Sequence, residues 1–223
     1  MKLTPPWMSR ADRRRWSSAR TVADLGELMA LWLEGAIASR PGYAANHGPE
    51  EETAHLVPTL AALCRAGMIT TNSQPGLSGT GANGLWWEQR AAVECVVTDP
   101  DLLERLVAVT HDAGMLVRVN EPGGTGEDPV VVTTCDGEPT AWFGGRIGDA
   151  DMAVQWEGLD PQLFRAISTG TYVSVIAPDY GGEGEGLWVG LDFFTGLRRY
   201  DPADPWFHQP IRYSSPVTTA EEN

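Results

Sequence analysis

Apolar residues recur at three- and four-residue steps through Val22, Leu25, Leu28, Met29, Trp32 and Ile37, and again through Leu56, Leu60 and Leu63. After Gly67 this spacing gives way to short runs rich in β-branched and aromatic residues, such as residues 86–97 and 130–134. The first pattern gives a helix one apolar stripe, and the second suits a pleated surface with one face buried. The two have to share a core. The expected fold class is α+β, a mixed sheet with helices concentrated in the N-terminal half.

Turn and cap residues set the boundaries. The first helix should begin between Thr21 and Asp24 and end before Pro41-Gly42. A second follows Glu50-Glu51-Glu52-Thr53, with acidic residues suited to the dipole of a first turn, Pro58 in the early turns and Gly67 at the stop. Asp99-Pro100-Asp101 starts a third, which stops at Gly114, and residues 161–168 read as a short fourth. Strands are expected at 68–71, 86–97, 115–120, 130–134, 140–143, 171–177 and 187–194, with a flexible hairpin loop over Gly181 to Gly186. In domain terms, residues 1–20 read as an extended basic and aromatic arm without its own core. Residues 21–200 read as a single α+β ligand-binding domain, and 201–223 as a proline-rich tail.

Sixteen basic residues against thirty acidic ones give a net charge of −14. Such a surface repels phosphate backbones and anionic lipid, so neither nucleic acid nor membrane is an expected partner. Lys2 is the only lysine. The basic cluster from Arg10 to Arg20, interleaved with Trp16, either meets an acidic partner or RNA or folds back on the acidic body of its own chain. Cys64, Cys95 and Cys135 form an odd set without a close pair, as expected of free core thiols in a reducing compartment. No apolar run approaches a membrane span, so a cytoplasmic protein is expected.

Few residues are arranged for catalysis. His47, His55, His111 and His208 make no ligand spacing with the cysteines, and Glu52 with His55 is only half of a carboxylate-bridged metal motif, so no metal is expected. There is no Gly-x-Ser-x-Gly elbow. The run Gly181 to Gly186 carries two glutamates and no lysine, which opposes the anion a phosphate loop attracts. Polar groups of another kind gather between Glu52 and Pro75, where a helix opening on Glu52-Thr53 is followed by Thr70-Thr71-Asn72-Ser73-Gln74-Pro75 at a strand exit. Hydroxyls and a carboxylate in that order suit an amino-acid or ribose-bearing ligand; equally, Thr53 caps a helix and Asn72-Ser73 makes a turn.

The string from Glu52-Thr53 through Leu63-Cys64-Arg65-Ala66-Gly67-Met68-Ile69-Thr70-Thr71-Asn72-Ser73-Gln74-Pro75 resembles the regulatory domain of eukaryotic methylenetetrahydrofolate reductase. Gln89-Arg90-Ala91-Ala92-Val93-Glu94 and Val117-Arg118-Val119-Asn120 are similar to later segments of that domain, in the same order. The resemblance covers about residues 50 to 190. It implies a non-catalytic module that binds S-adenosylmethionine or S-adenosylhomocysteine, here without a reductase barrel. The positions that would contact ligand are Glu52, Thr53, Thr70 and Ser73. Pro6-Trp7 is similar to a ligand-contacting pair in the family's linker, with Ala19 as counterpart of a downstream alanine. Two further family threonines fall on Ala141, with Thr140 one step away, and near Met152, so part of the pocket differs.

On this reading Trp7 stacks on the base or closes a lid, Glu52 accepts from ribose hydroxyls or an amino group, and Thr53, Thr70 and Ser73 hold the polar end, with Thr140 in support. The expected ligand is S-adenosylmethionine, S-adenosylhomocysteine or a related nucleoside, bound and not turned over. An enzyme degrading such a ligand, with Glu52 as general base, and an interaction domain that has lost the pocket are the alternatives. A protein partner or homo-oligomer fits any of the three.

Overall fold

Short polar side chains start most of the helices. In the computed structural model, which describes residues 7–199, Ser9 accepts from the Asp12 amide at 3.0 Å and opens α1, Arg10–Ser18. Thr21 and Asp24 cap α2, Val22–Leu33, reciprocally: the Thr21 hydroxyl accepts from the Asp24 amide at 3.1 Å, and the Asp24 carboxylate accepts from the Thr21 amide at 3.0 Å. A 3-10 helix, Glu51–Leu56, leads into α3, Val57–Arg65, with Pro58 in its first turn where no intrahelical bond is lost.

The chain continues through β1, Met68–Gln74; β2, Ser78–Thr80; β3, Trp86–Val97; and α4, Pro100–Asp112. Then come β4, Leu116–Asn120; β5, Val130–Cys135; β6, Glu138–Phe143; α5, Asp149–Gln155; α6, Pro161–Ser168; and β7, Thr171–Tyr180. A 3-10 turn, Gly181–Glu185, leads into α7, Gly186–Thr195. The fold is α+β, and every strand pairing among the described residues is antiparallel.

β3 is the spine of the sheet. Its first half pairs with β2 and β5, and its second half with β1 and β7; β6 extends the sheet beyond β5, and β4 beyond β7. Helices α2 and α3 pack together and against β1. Leu25, Met29, Leu63, Met68 and Ile69 are fully buried where they meet, each worth about 1.5–3 kcal/mol of apolar burial. The helices approach so closely that a Cβ on Gly26 would overlap the carbonyl of Cys64. Thr59 on α3 donates to the Asp192 carboxylate on α7 at 2.5 Å, fastening α7 to the same layer.

Several expectations change. Residues 10–18 are not extended: Trp16 and Asp12 face inward from a helix whose arginines stay outside, and Trp16 Nε1 donates to the Ser39 carbonyl at 2.8 Å. α2 stops at Leu33, and the chain reaches Pro41 through turns. Residues 187–194, expected as a strand, form α7, whose buried Leu187, Trp188 and Leu191 have helical spacing. The glycine run before it is a 3-10 turn. Neither β2 nor α5 was expected from the sequence. Residues 1–6 of the arm and the tail at 201–223 lie outside the described residues.

Candidate functional site

β1 departs from a regular ladder. Thr70 lies opposite Cys95 and Asn72 opposite Glu94, so Thr71 is an extra residue on β1. A regular strand sends neighbouring side chains to opposite faces; the bulge re-aims them, and Thr70 and Thr71 are both buried. As a result, Thr70, Thr71, Asn72 and Ser73 all border one cavity of about 170 Å³. Glu52 and Thr53, from the 3-10 helix, close another part of the same cavity, together with Arg40 and Tyr43.

Four of the expected contact residues therefore converge. Glu52 is exposed at the cavity mouth, and no protein hydrogen bond or ion pair engages it among the described residues. The Ser73 hydroxyl likewise has no protein hydrogen-bond partner among the described residues. Thr53 is buried and donates to the Glu50 carbonyl at 2.9 Å, so its hydroxyl holds the local turn while keeping lone pairs to offer. Thr70 lies 3.1 Å from the Cys64 sulfur, and that thiol's pKa is pushed up by burial.

A polar network backs the cavity. The buried Glu94 carboxylate accepts from Asn72 Nδ2 at 2.8 Å, the Tyr172 hydroxyl at 3.2 Å, the Ser174 hydroxyl at 3.0 Å and the Gly144 amide at 2.9 Å. Thr71 joins it through a 2.7 Å bond to the Tyr172 hydroxyl. Burial, and then the charge of Glu94, push the pKa of Tyr172 well above its usual range. The network thus presents a neutral phenol and a fixed amide behind the bulge, which holds the strand exit in one geometry.

Arg40 forms the wall on the other side. It is 7% exposed, its Nε and Nη1 atoms are buried without a hydrogen-bond partner, and no carboxylate pairs with it among the described residues. Its guanidinium lies 4.8 Å from the Trp32 ring centroid and 5.0 Å from that of Tyr43. Burial lowers its pKa from the ordinary value. Aromatic faces return about 0.5–2 kcal/mol each to a cation, against a burial penalty of several kcal/mol for an unpaired charge.

Beyond Arg40 and Tyr43 a second cavity of about 480 Å³ adjoins the first, bordered by Trp7, Arg13 and Glu157. Trp7 thus lies beside the neighbouring cavity, at 64% exposure, and not in the one that holds the other four. The smaller space falls below the roughly 300–1,000 Å³ of small-molecule sites, whereas the larger lies within that range. Thr140 borders neither: it is exposed on β6 and donates to the Thr133 carbonyl at 3.2 Å. Met152 belongs to a separate cavity of about 390 Å³, and Ala19 is buried at the end of α1.

Sequence reasoning missed Arg40 and Glu94. A glutamate inside the apolar run Ala91-Ala92-Val93-Glu94-Cys95-Val96-Val97 is a legible signal, because a charge there must be buried and bonded. Arg40 gave none, since its burial depends on rings at Trp32 and Tyr43 that meet only in the fold. Among the described residues no cluster of three or more His, Cys, Asp or Glu side chains could hold a metal ion. No described helix is long and apolar enough to cross a membrane.

No curated protein matches the chain. Residues 11–193 match a domain of unknown function, DUF6919, a span that takes in every helix and strand bordering the first cavity. With that much of its length matched, the chain belongs to the DUF6919 family.

Proposed function

We propose that the protein is a binding module for S-adenosylmethionine, S-adenosylhomocysteine or a related adenosyl compound, held without being turned over. The observation that carries this reading is the meeting of Glu52, Thr53, Thr70 and Ser73 around one cavity. These are the four positions at which the resemblance to the reductase regulatory domain places ligand contacts. They come from two elements separated by α3, and a bulge is needed to bring the last of them in.

The chemistry of the walls supports the same class of ligand. Glu52 offers a free carboxylate to a ribose diol or an ammonium group, and Ser73 offers a free hydroxyl. Trp7, beside the adjoining cavity, supplies an aromatic face for a base.

Titration calorimetry with S-adenosylmethionine and with S-adenosylhomocysteine tests the proposal, repeated on Glu52→Ala and Ser73→Ala. Saturable one-site binding that each substitution weakens about 5- to 10-fold is expected, as for the loss of one or two hydrogen bonds. Chromatography of the mixture should return the ligand intact. Binding unchanged in both variants contradicts the site, and steady conversion of the ligand favours an enzyme.

A further inference from the structure

We infer that Arg40 is a carboxylate-binding subsite and that the ligand carries an α-amino-acid group whose carboxylate is held there. This rests on the reading above for the rest of the ligand. Arg40 is more than nine-tenths buried, borders both cavities, and has no hydrogen-bond partner for its Nε and Nη1 among the described residues. A guanidinium is always charged and has no acceptor of its own, so its demand is for an anion.

Its position is fixed before any ligand arrives. Trp32, under the guanidinium, donates through Nε1 to the His47 carbonyl at 3.0 Å and packs edge-on to Tyr43 with centroids 5.5 Å apart. The Tyr43 hydroxyl donates in turn to Glu50 Oε1 at 2.7 Å. A rigid aromatic seat removes the side-chain entropy that an arginine otherwise loses on binding.

The rest of the wall selects among anions. Glu50 and Glu52 border the same cavity as Arg40, and Glu52 has no protein partner among the described residues. One buried cation with one free carboxylate matches a carboxylate and an ammonium on the same ligand. A phosphate dianion would meet a single positive charge and two acidic side chains, so the arrangement favours the zwitterion.

The test compares S-adenosylhomocysteine with its carboxyl methyl ester and with 5′-methylthioadenosine, on the native protein and on Arg40→Gln. S-adenosylhomocysteine should bind about 10- to 100-fold more weakly to Arg40→Gln, the usual scale for a charge-assisted hydrogen bond, while 5′-methylthioadenosine changes less than about 2-fold. Equal losses for both ligands, or none, overturn the subsite. Should Arg40→Gln fail to fold, the native protein decides: the ester should bind at least about 10-fold more weakly than the acid, and equal binding overturns the inference. If no adenosyl ligand binds the native protein, the proposed function fails, and thermal unfolding with methionine against methioninamide judges Arg40 alone. A rise in Tm with the acid only keeps the subsite, and no difference between the two overturns it.

Discussion

The Glu94 carboxylate on β3 accepts from the Ser174 hydroxyl on β7 at 3.0 Å, and both side chains are buried in the middle of the sheet. Three further donors converge on that carboxylate, from Asn72 on β1, Tyr172 on β7 and the Gly144 amide. Glu94→Ala leaves these buried donors without an acceptor and should cost about 3–5 kcal/mol. Glu94→Gln keeps the volume but turns an amide NH2, itself a donor, toward some of these donors, and should cost about 1–3 kcal/mol. Denaturant unfolding reads both as a lower midpoint at unchanged slope; an unmoved midpoint contradicts the network.

Trp16 decides whether the N-terminal segment belongs to the core. It is 1% exposed and bonded to the Ser39 carbonyl, so Trp16→Ala should cost about 3–5 kcal/mol. Trp16→Phe should cost about 1–2 kcal/mol, for the lost hydrogen bond and part of the ring. Thermal unfolding measures each, and native-like Tm values in both would return residues 10–18 to the status of a loose arm.

Acid should remove the contribution of the α2 cap. The Asp24 carboxyl is held below its ordinary value of 3.8, first by the Arg20 amide and then by Thr21. A depressed folded-state pKa stabilises fully above the unfolded value, and that contribution is lost as the pH falls through the lower folded value. Asp24→Ala should therefore be less stable than the native protein at about pH 7, with the gap closing below about pH 4. A gap that persists unchanged at about pH 2 contradicts the assignment.

Thiol titration tests the packing beside the cavity. Cys64 and Cys95 are fully buried, and burial pushes both thiols up in pKa; Cys135 is half-buried near the end of β5. A disulfide reagent should modify Cys135 alone in the folded protein, and all three after denaturation. Rapid reaction of all three in the native state contradicts a closed interface between α3 and β1.

Much of the architecture was legible because its signals are local. Thr21 and Asp24 announce a capping box, Asp99-Pro100 and Asp160-Pro161 each place a cap before a helix, and the turn at Asp136-Gly137 joins β5 to β6. The reading of residues 187–194 as a strand arose because an eight-residue segment with six Leu, Trp, Val and Phe residues has the length and composition of a buried strand. Its helical form is selected by packing against α3, α4 and the sheet. Trp16 was missed for a related reason, since two inward positions in nine residues make too short a stripe to read.

The site divides in the same way. Glu52, Thr53, Thr70 and Ser73 stand in short motifs, so their meeting was an expectation that could be stated beforehand. The bulge at Thr71 and the burial of Arg40 between Trp32 and Tyr43 arise from pairing and packing across the fold, and no local pattern carries them. Thr140 and its neighbour Ala141 lie on β6, at the sheet edge beyond β5, and border neither cavity, so the expectation at this position has no counterpart in the site.

A crystal structure of the protein grown with S-adenosylhomocysteine tests the central claim most directly. The account predicts ligand density in contact with Glu52 and Ser73, its carboxylate on Arg40 and its remainder running toward Trp7. Density bound elsewhere on the chain, or none at saturating ligand, would contradict it.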